Sequence, residues 1–146
     1  MRGKLLLHAF LAWLAIAVAA ILNGILRQAV LIPTLGDPLA QVLSILLLLA
    51  IIVGISAYFV RRPGRDLQPS SLLLVGLAWA AGAVLFEFAL GRLVLDVPWS
   101  ELLAAYDVRT GALWPLAPLA MIAAPPLLGR RRGTAEARSR PQRHRH

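Results

Sequence analysis

Residues 38–65 read PLAQVLSILLLLAIIVGISAYFVRRPGR. Between Pro38 and Val60 there is no Asp, Glu, Lys, Arg or His, and the apolar residues run on without a polar stripe. A helix rises about 1.5 Å per residue, so about 20 such residues match the hydrocarbon thickness of a bilayer. The stretch also carries its own boundaries. Asp37 can cap a helix start, and Pro38 fits a first position that needs no backbone donor. Arg61-Arg62-Pro63-Gly64-Arg65 ends the run with charge and with both helix breakers.

Outward from this segment the pattern repeats. Similar runs cover 5–28, 71–93 and 111–128, with a turn expected at Pro33 to Pro38. The chain is 59% hydrophobic and 15% charged, with a mean hydropathy of +0.73, against about 25% charged residues in a soluble domain. The first run follows Arg2 and Lys4 and contains Ala17-Val18-Ala19, so it resembles a secretory signal peptide, but its apolar character continues through Ile25-Leu26 and favours a retained helix. The fourth run is short and holds Pro115, Pro118, Pro125 and Pro126, which should kink or shorten it; a re-entrant segment is the alternative. Before it, Trp99, Leu102, Leu103 and Tyr106 share one helical face, so 98–106 is expected to be an amphipathic helix in the interface. Residues 129–146 are polar and basic, and read as a disordered tail.

These runs predict an all-α fold: an integral membrane four-helix bundle spanning 1–128, with an interfacial helix before helix 4. Of the 15 Lys and Arg residues, only Arg27, Arg92 and Arg109 fall on the side opposite the N-terminus, the 61–70 loop and the tail. The positive-inside rule therefore puts both termini in the cytoplasm. The net charge of +8 follows from this placement rather than from nucleic-acid binding, and a basic tail suits anionic lipid.

Chemistry has few places to sit. There is no cysteine, which excludes disulfides and thiolate metal sites, and no histidine pair lies in a run to hold a metal or heme. No cofactor is expected. A charge inside a bilayer costs about 2.5–3.5 kcal/mol at a helix centre on insertion scales, so Glu87, the one acid within a run, carries the most weight. Gly76, Ala80, Ala83, Glu87 and Gly91 form one small-residue face of helix 3, and Ala12, Ala15, Ala19, Asn23 and Arg27 form a similar face of helix 1. Such faces allow close approach, so an Arg27–Glu87 ion pair with Asn23 beside it is expected. Gln41, Ser44, Arg92, Tyr106 and Asp107 are possible extensions. Trp13, Trp99 and Trp114 fit interfacial anchoring, Trp79 packing, and His8 an interface position. The cluster either fixes helix register or lines a polar cavity that binds a ligand or proton.

Asn23-Gly24-Ile25-Leu26-Arg27, Phe86-Glu87-Phe88-Ala89-Leu90-Gly91, Trp99-Ser100-Glu101-Leu102-Leu103 and Tyr106-Asp107 together resemble a group of small four-span inner-membrane proteins of Gram-negative bacteria. That group has an Asn-Gly-x-x-Arg element closing helix 1, a Phe-Glu-Phe-x-x-Gly element in helix 3 and a Trp-x-x-Leu-Leu loop. The resemblance extends to about Trp114, with Gln28 where those proteins carry an acid. It implies the four-helix arrangement and the choice of Asn23, Arg27 and Glu87, but no activity.

Three function classes follow. A non-catalytic accessory subunit, packing on a partner or on itself through the small-residue faces, fits the size and short loops. A small transporter or channel component would use Glu87 and Arg27. A lipid- or prenyl-modifying enzyme ranks last, because neither metal-binding acids nor a nucleophile with its base is found.

Overall fold

The computed structural model describes residues 2–139. It is all-helical, with no strand among the described residues. Helix α1 spans Arg2–Leu35, α2 Asp37–Arg61 and α3 Pro69–Val94, and these three are long and apolar enough to cross a membrane. A short α4, Trp99–Ala104, and a single 3-10 turn, Val108–Thr110, lead to α5, Leu116–Ser139. The surface is inverted relative to a soluble domain. Leu6 (69%), Leu74 (67%) and Leu85 (70%) are outside, while Asn23 (5%), Ser44 (4%) and Ser56 (0%) are buried. Apolar patches of that extent call for a partner or an apolar solvent.

Several boundaries differ from those read in the sequence. The chain does not turn at Pro33. Helix α1 widens to π geometry over Arg27–Leu31 and continues for one more α turn, Ile32–Leu35. The turn falls at Gly36, whose φ of 81° suits a residue without Cβ. Asp37 is already helical and its side chain caps nothing. The interfacial helix is shorter than expected, because Pro98 starts it and the chain leaves it after Ala104. The last helix begins at Leu116 rather than 111, and runs through Arg130–Arg132 to Ser139, where the sequence suggested a disordered tail from 129. One reason is Arg132. Its Nη1 donates to the carbonyls of Val60 and Arg65, both at 3.3 Å, and its Nε bonds Glu136 at 2.9 Å. The end of α2 would otherwise leave carbonyls unmet, so α5 gains a partner beyond its apolar part. The rest of the expected tail, 140–146, lies outside the described residues.

Helix α5 packs broadly against α3 and α2, α1 rests mainly on α2, and α1 and α3 hardly touch. The small-residue face of α3 therefore serves a different neighbour from the expected α1. A Cβ on Gly76 would lie 2.5 Å from Met121 O and 2.9 Å from Ile122 O. Those carbonyls are special: Pro125 and Pro126, four residues on, have no N–H and cannot donate to them as helix partners. Gly76 brings the backbone of α3 directly against the two released oxygens, where weak Cα–H···O contacts recur between packed helices. The α1–α3 seam instead holds one reciprocal pair. Trp13 Nε1 donates to Trp79 O at 3.1 Å, and Trp79 Nε1 to Ala9 O at 2.9 Å. Trp13 is thus a bundle contact rather than the interfacial anchor its position suggested, and Gly82 makes room for its ring.

Gly76→Val should lower unfolding stability in detergent by at least the 1–3 kcal/mol typical of overpacking, because the atoms it strikes are backbone. Gly54→Ala, where a Cβ meets nothing within 4 Å, should be neutral or stabilising by up to about 1 kcal/mol. Equal melting-temperature losses for both would deny the close approach.

Candidate functional site

Glu87 lies in the last turn of the regular part of α3, and the next stretch, Leu90–Val94, widens to π geometry. The π stretch of α1, Arg27–Leu31, begins at Arg27 itself. Such wide turns are rare and concentrate at functional sites; here both adjoin the same polar cluster. Asp96, at φ 52°, reverses the chain after α3 and accepts Arg92 Nη1 at 2.7 Å. The Val97 N–H bonds Gly91 O at 2.8 Å. Leu102 then seats on Gly91, where a Cβ would meet its Cδ2 at 2.6 Å. Phe88 packs against the rings of both Trp99 and Tyr106, at centroid distances of 6.0 and 5.7 Å. These contacts fold α4 back so that Tyr106 reaches Glu87.

The carboxylate of Glu87 accepts two bonds on one oxygen. Tyr106 OH and Trp114 Nε1 each donate to Oε2 at 2.5 Å, and Trp114 Nε1 also lies 3.1 Å from Tyr106 OH. Charge-assisted bonds of this kind are short and strong. They keep a carboxylate tolerable in an apolar bundle without a cation. The Tyr106 phenol is pushed well above its usual range, first by burial and then by the hydrogen bond to Glu87 and its charge.

The expected Arg27–Glu87 ion pair is absent: among the described residues the ion pairs are Arg65–Asp66, Arg92–Asp96 and Arg132–Glu136. Glu87 takes its partners from the α4–α5 segment instead, because α1 leans on α2 and away from α3. Asn23 does likewise. Its Nδ2 donates to Ser44 O at 3.0 Å and Ser44 Oγ at 2.9 Å, tying α1 to α2. Its Oδ1 and the Nε of Arg27 are buried without a hydrogen-bond partner.

The cluster nevertheless meets across open space. Asn23, Arg27, Gln41, Ser44, Glu87 and Trp114 line one polar chamber of about 340 Å³. Glu87 and Trp114 also line a largely apolar cavity of about 180 Å³ deeper in the bundle, with Tyr106 beside them. Two expected extensions stay outside. Arg92 is engaged with Asp96, and the exposed Asp107 accepts the Arg109 N–H at 3.0 Å to start the 3-10 turn. Trp99 is 56% exposed, and His8 is exposed, its Nδ1–H donating to Lys4 O at 2.6 Å. Trp114, expected as an anchor, is instead a donor to Glu87. The available signal was its indole N–H, which seeks an acceptor when buried.

Two measurements check this arrangement. A double-mutant cycle in detergent should give a coupling of about 1.5–3 kcal/mol between Glu87→Ala and Tyr106→Phe. The cycle between Glu87→Ala and Arg27→Leu should couple by less than about 0.5 kcal/mol; a larger value there would restore the ion pair. In a Tyr58→Phe background, tyrosinate absorbance should lag behind a free phenol as pH rises past 10.0, the phenol's ordinary value. A raised native pKa means the native state holds this proton longer than the unfolded chain does. The phenol's contribution to stability is therefore full below that pH and declines above it, and a normal titration would remove Tyr106 from the site. No protein-family model, curated protein or solved structure matches the chain.

Proposed function

We propose that this chain is a small multi-pass protein of a bacterial inner membrane, with both termini cytoplasmic, that serves as a non-catalytic binding subunit. The observation that carries the binding role is the polar chamber. Three long helices and the α4–α5 segment send polar side chains to one space, and two buried groups there, Asn23 Oδ1 and Arg27 Nε, have no protein partner. A cluster that only fixed register would be expected to satisfy its own buried groups, since an unmet buried polar atom costs about 1–3 kcal/mol.

Three apolar helices support membrane insertion. A fourth crossing, by the apolar part of α5, is proposed in addition; its broad packing against α2 and α3 and the basic residues that succeed it support this reading. Those residues, with Arg61, Arg62 and Arg65, suit anionic lipid at the cytoplasmic face. A second reading, an accessory subunit docking a partner or a second copy, is favoured by α1, whose outer face stays exposed from Leu6 to Ile25. The transporter reading requires a polar path beyond this one chamber.

Reporter fusions after Arg65 and at the C-terminus should both report cytoplasm, and a periplasmic C-terminus overturns the fourth crossing. For binding, a native membrane extract should raise the melting temperature of the detergent-purified protein, since a ligand at 100 times its Kd adds about 2.7 kcal/mol. Arg27→Met should abolish that rise. An unchanged rise in the variant would place binding elsewhere.

A further inference from the structure

Three hollows along the bundle share lining residues. The polar chamber and the inner cavity have Glu87, Trp114 and Ala20 in common. The inner cavity and an open apolar groove of about 530 Å³ share Trp13. That groove follows the α1–α3 seam to Leu6, the seam at which the two helices hardly touch. From Asn23 to Leu6 helix α1 rises about 26 Å, at 1.5 Å per residue. The polar head site, the inner cavity and the groove are thus neighbours in that order, with the Trp13 ring between the last two.

The head site has a defined chemistry. Arg27 is a cation with an unmet donor, and Asn23 Oδ1 is an unmet acceptor in a side chain 5% exposed. Both donors to Glu87 fall on Oε2, which leaves Oε1 for another donor. One basic and one acidic side chain line the same chamber. A net anion would meet Glu87 unfavourably and a net cation Arg27, whereas a zwitterion answers both. The inner cavity, about 180 Å³, exceeds the roughly 150 Å³ apolar cavity known to hold benzene, so it has room for a segment of chain, and the groove lies just beyond Trp13.

Resting on the binding reading above, we propose that the ligand is an amphiphile with an aminoalkyl phosphate head. Its phosphate accepts from Arg27, its primary ammonium donates to Asn23 Oδ1 and Glu87 Oε1, and one acyl chain runs past Trp114 and Trp13 along the α1–α3 seam.

The test uses the full chain in mild detergent with three phospholipids of matched acyl chains: phosphatidylethanolamine, phosphatidylcholine, which has no N–H donor, and phosphatidylglycerol, which has no ammonium. Bound lipid is read by native mass spectrometry. One phosphatidylethanolamine per protein is expected, preferred at least about tenfold over the others, as loss of a charge-assisted hydrogen bond implies. Arg27→Gln should weaken it by a similar factor. Ala17→Leu, which fills the inner cavity, should lose the lipid yet keep soluble phosphoethanolamine, and unchanged melting temperatures without lipid verify folding. Equal retention of phosphatidylcholine or phosphatidylglycerol overturns the head assignment. Binding of soluble phosphoethanolamine without lipid preference overturns the acyl track and leaves the binding reading standing. No binding of any probe, while membrane extract still raises the melting temperature, overturns the ligand class alone. The absence of that rise as well overturns both.

Discussion

The close approach of Gly76 to the carbonyls of Met121 and Ile122 fixes the rest of this structure. Two consecutive prolines release those oxygens from their helix, and a backbone without Cβ covers them. The contact is unforgiving because it joins main chain to main chain, and neither side can rotate away. With α3 and α5 held at this distance, the segment between them is short enough that α4 must fold back over the end of α3. Tyr106 and Trp114 then arrive at Glu87 from opposite ends of one connection. The carboxylate is therefore satisfied by the same geometry that closes the bundle.

That geometry also explains the separation of charges. Glu87 is stabilised by neutral donors, which pay less desolvation than a second buried ion would. Arg27 is thereby freed from a structural duty. It sits at the start of a π stretch on a helix that leans on α2 through the Asn23–Ser44 bonds. Two opposite charges thus line a chamber without cancelling each other in a direct pair.

The long helices were legible in the sequence because uncharged runs of about 20 residues have few other solutions. The run from Pro38 to Val60 and the breakers after it mark α2 to within a residue or so. Asn23, Arg27, Gln41, Ser44 and Glu87, grouped in the sequence because polar residues at one depth of an apolar bundle have few other places to converge, line one chamber. Their pairing was not legible. Matching small-residue faces on helices 1 and 3 suggested that these helices touch, but a face specifies closeness and not the neighbour. The neighbour was decided by Pro125 and Pro126, whose freed carbonyls are a property of three-dimensional packing that a composition count reads only as helix breaking. The continuation of α5 past Gly129 was hidden for a related reason. Arg132 bonds the carbonyl end of α2, a partner distant in sequence, and local polarity alone suggested disorder.

The polar residues are concentrated where regular helix gives way. Glu87 precedes one π stretch and Arg27 opens the other, and each wide turn shifts the side chains beyond it relative to a regular helix. In α1 Arg27 lines the chamber at the start of the wide turn, and the residues after it run on to Gly36. In α3 the wide turn carries Gly91 beneath Leu102 and lets Arg92 face outward to Asp96. The irregular backbone and the unmet polar groups thus belong to one device, which holds a cation and an anion apart at the head of an apolar seam.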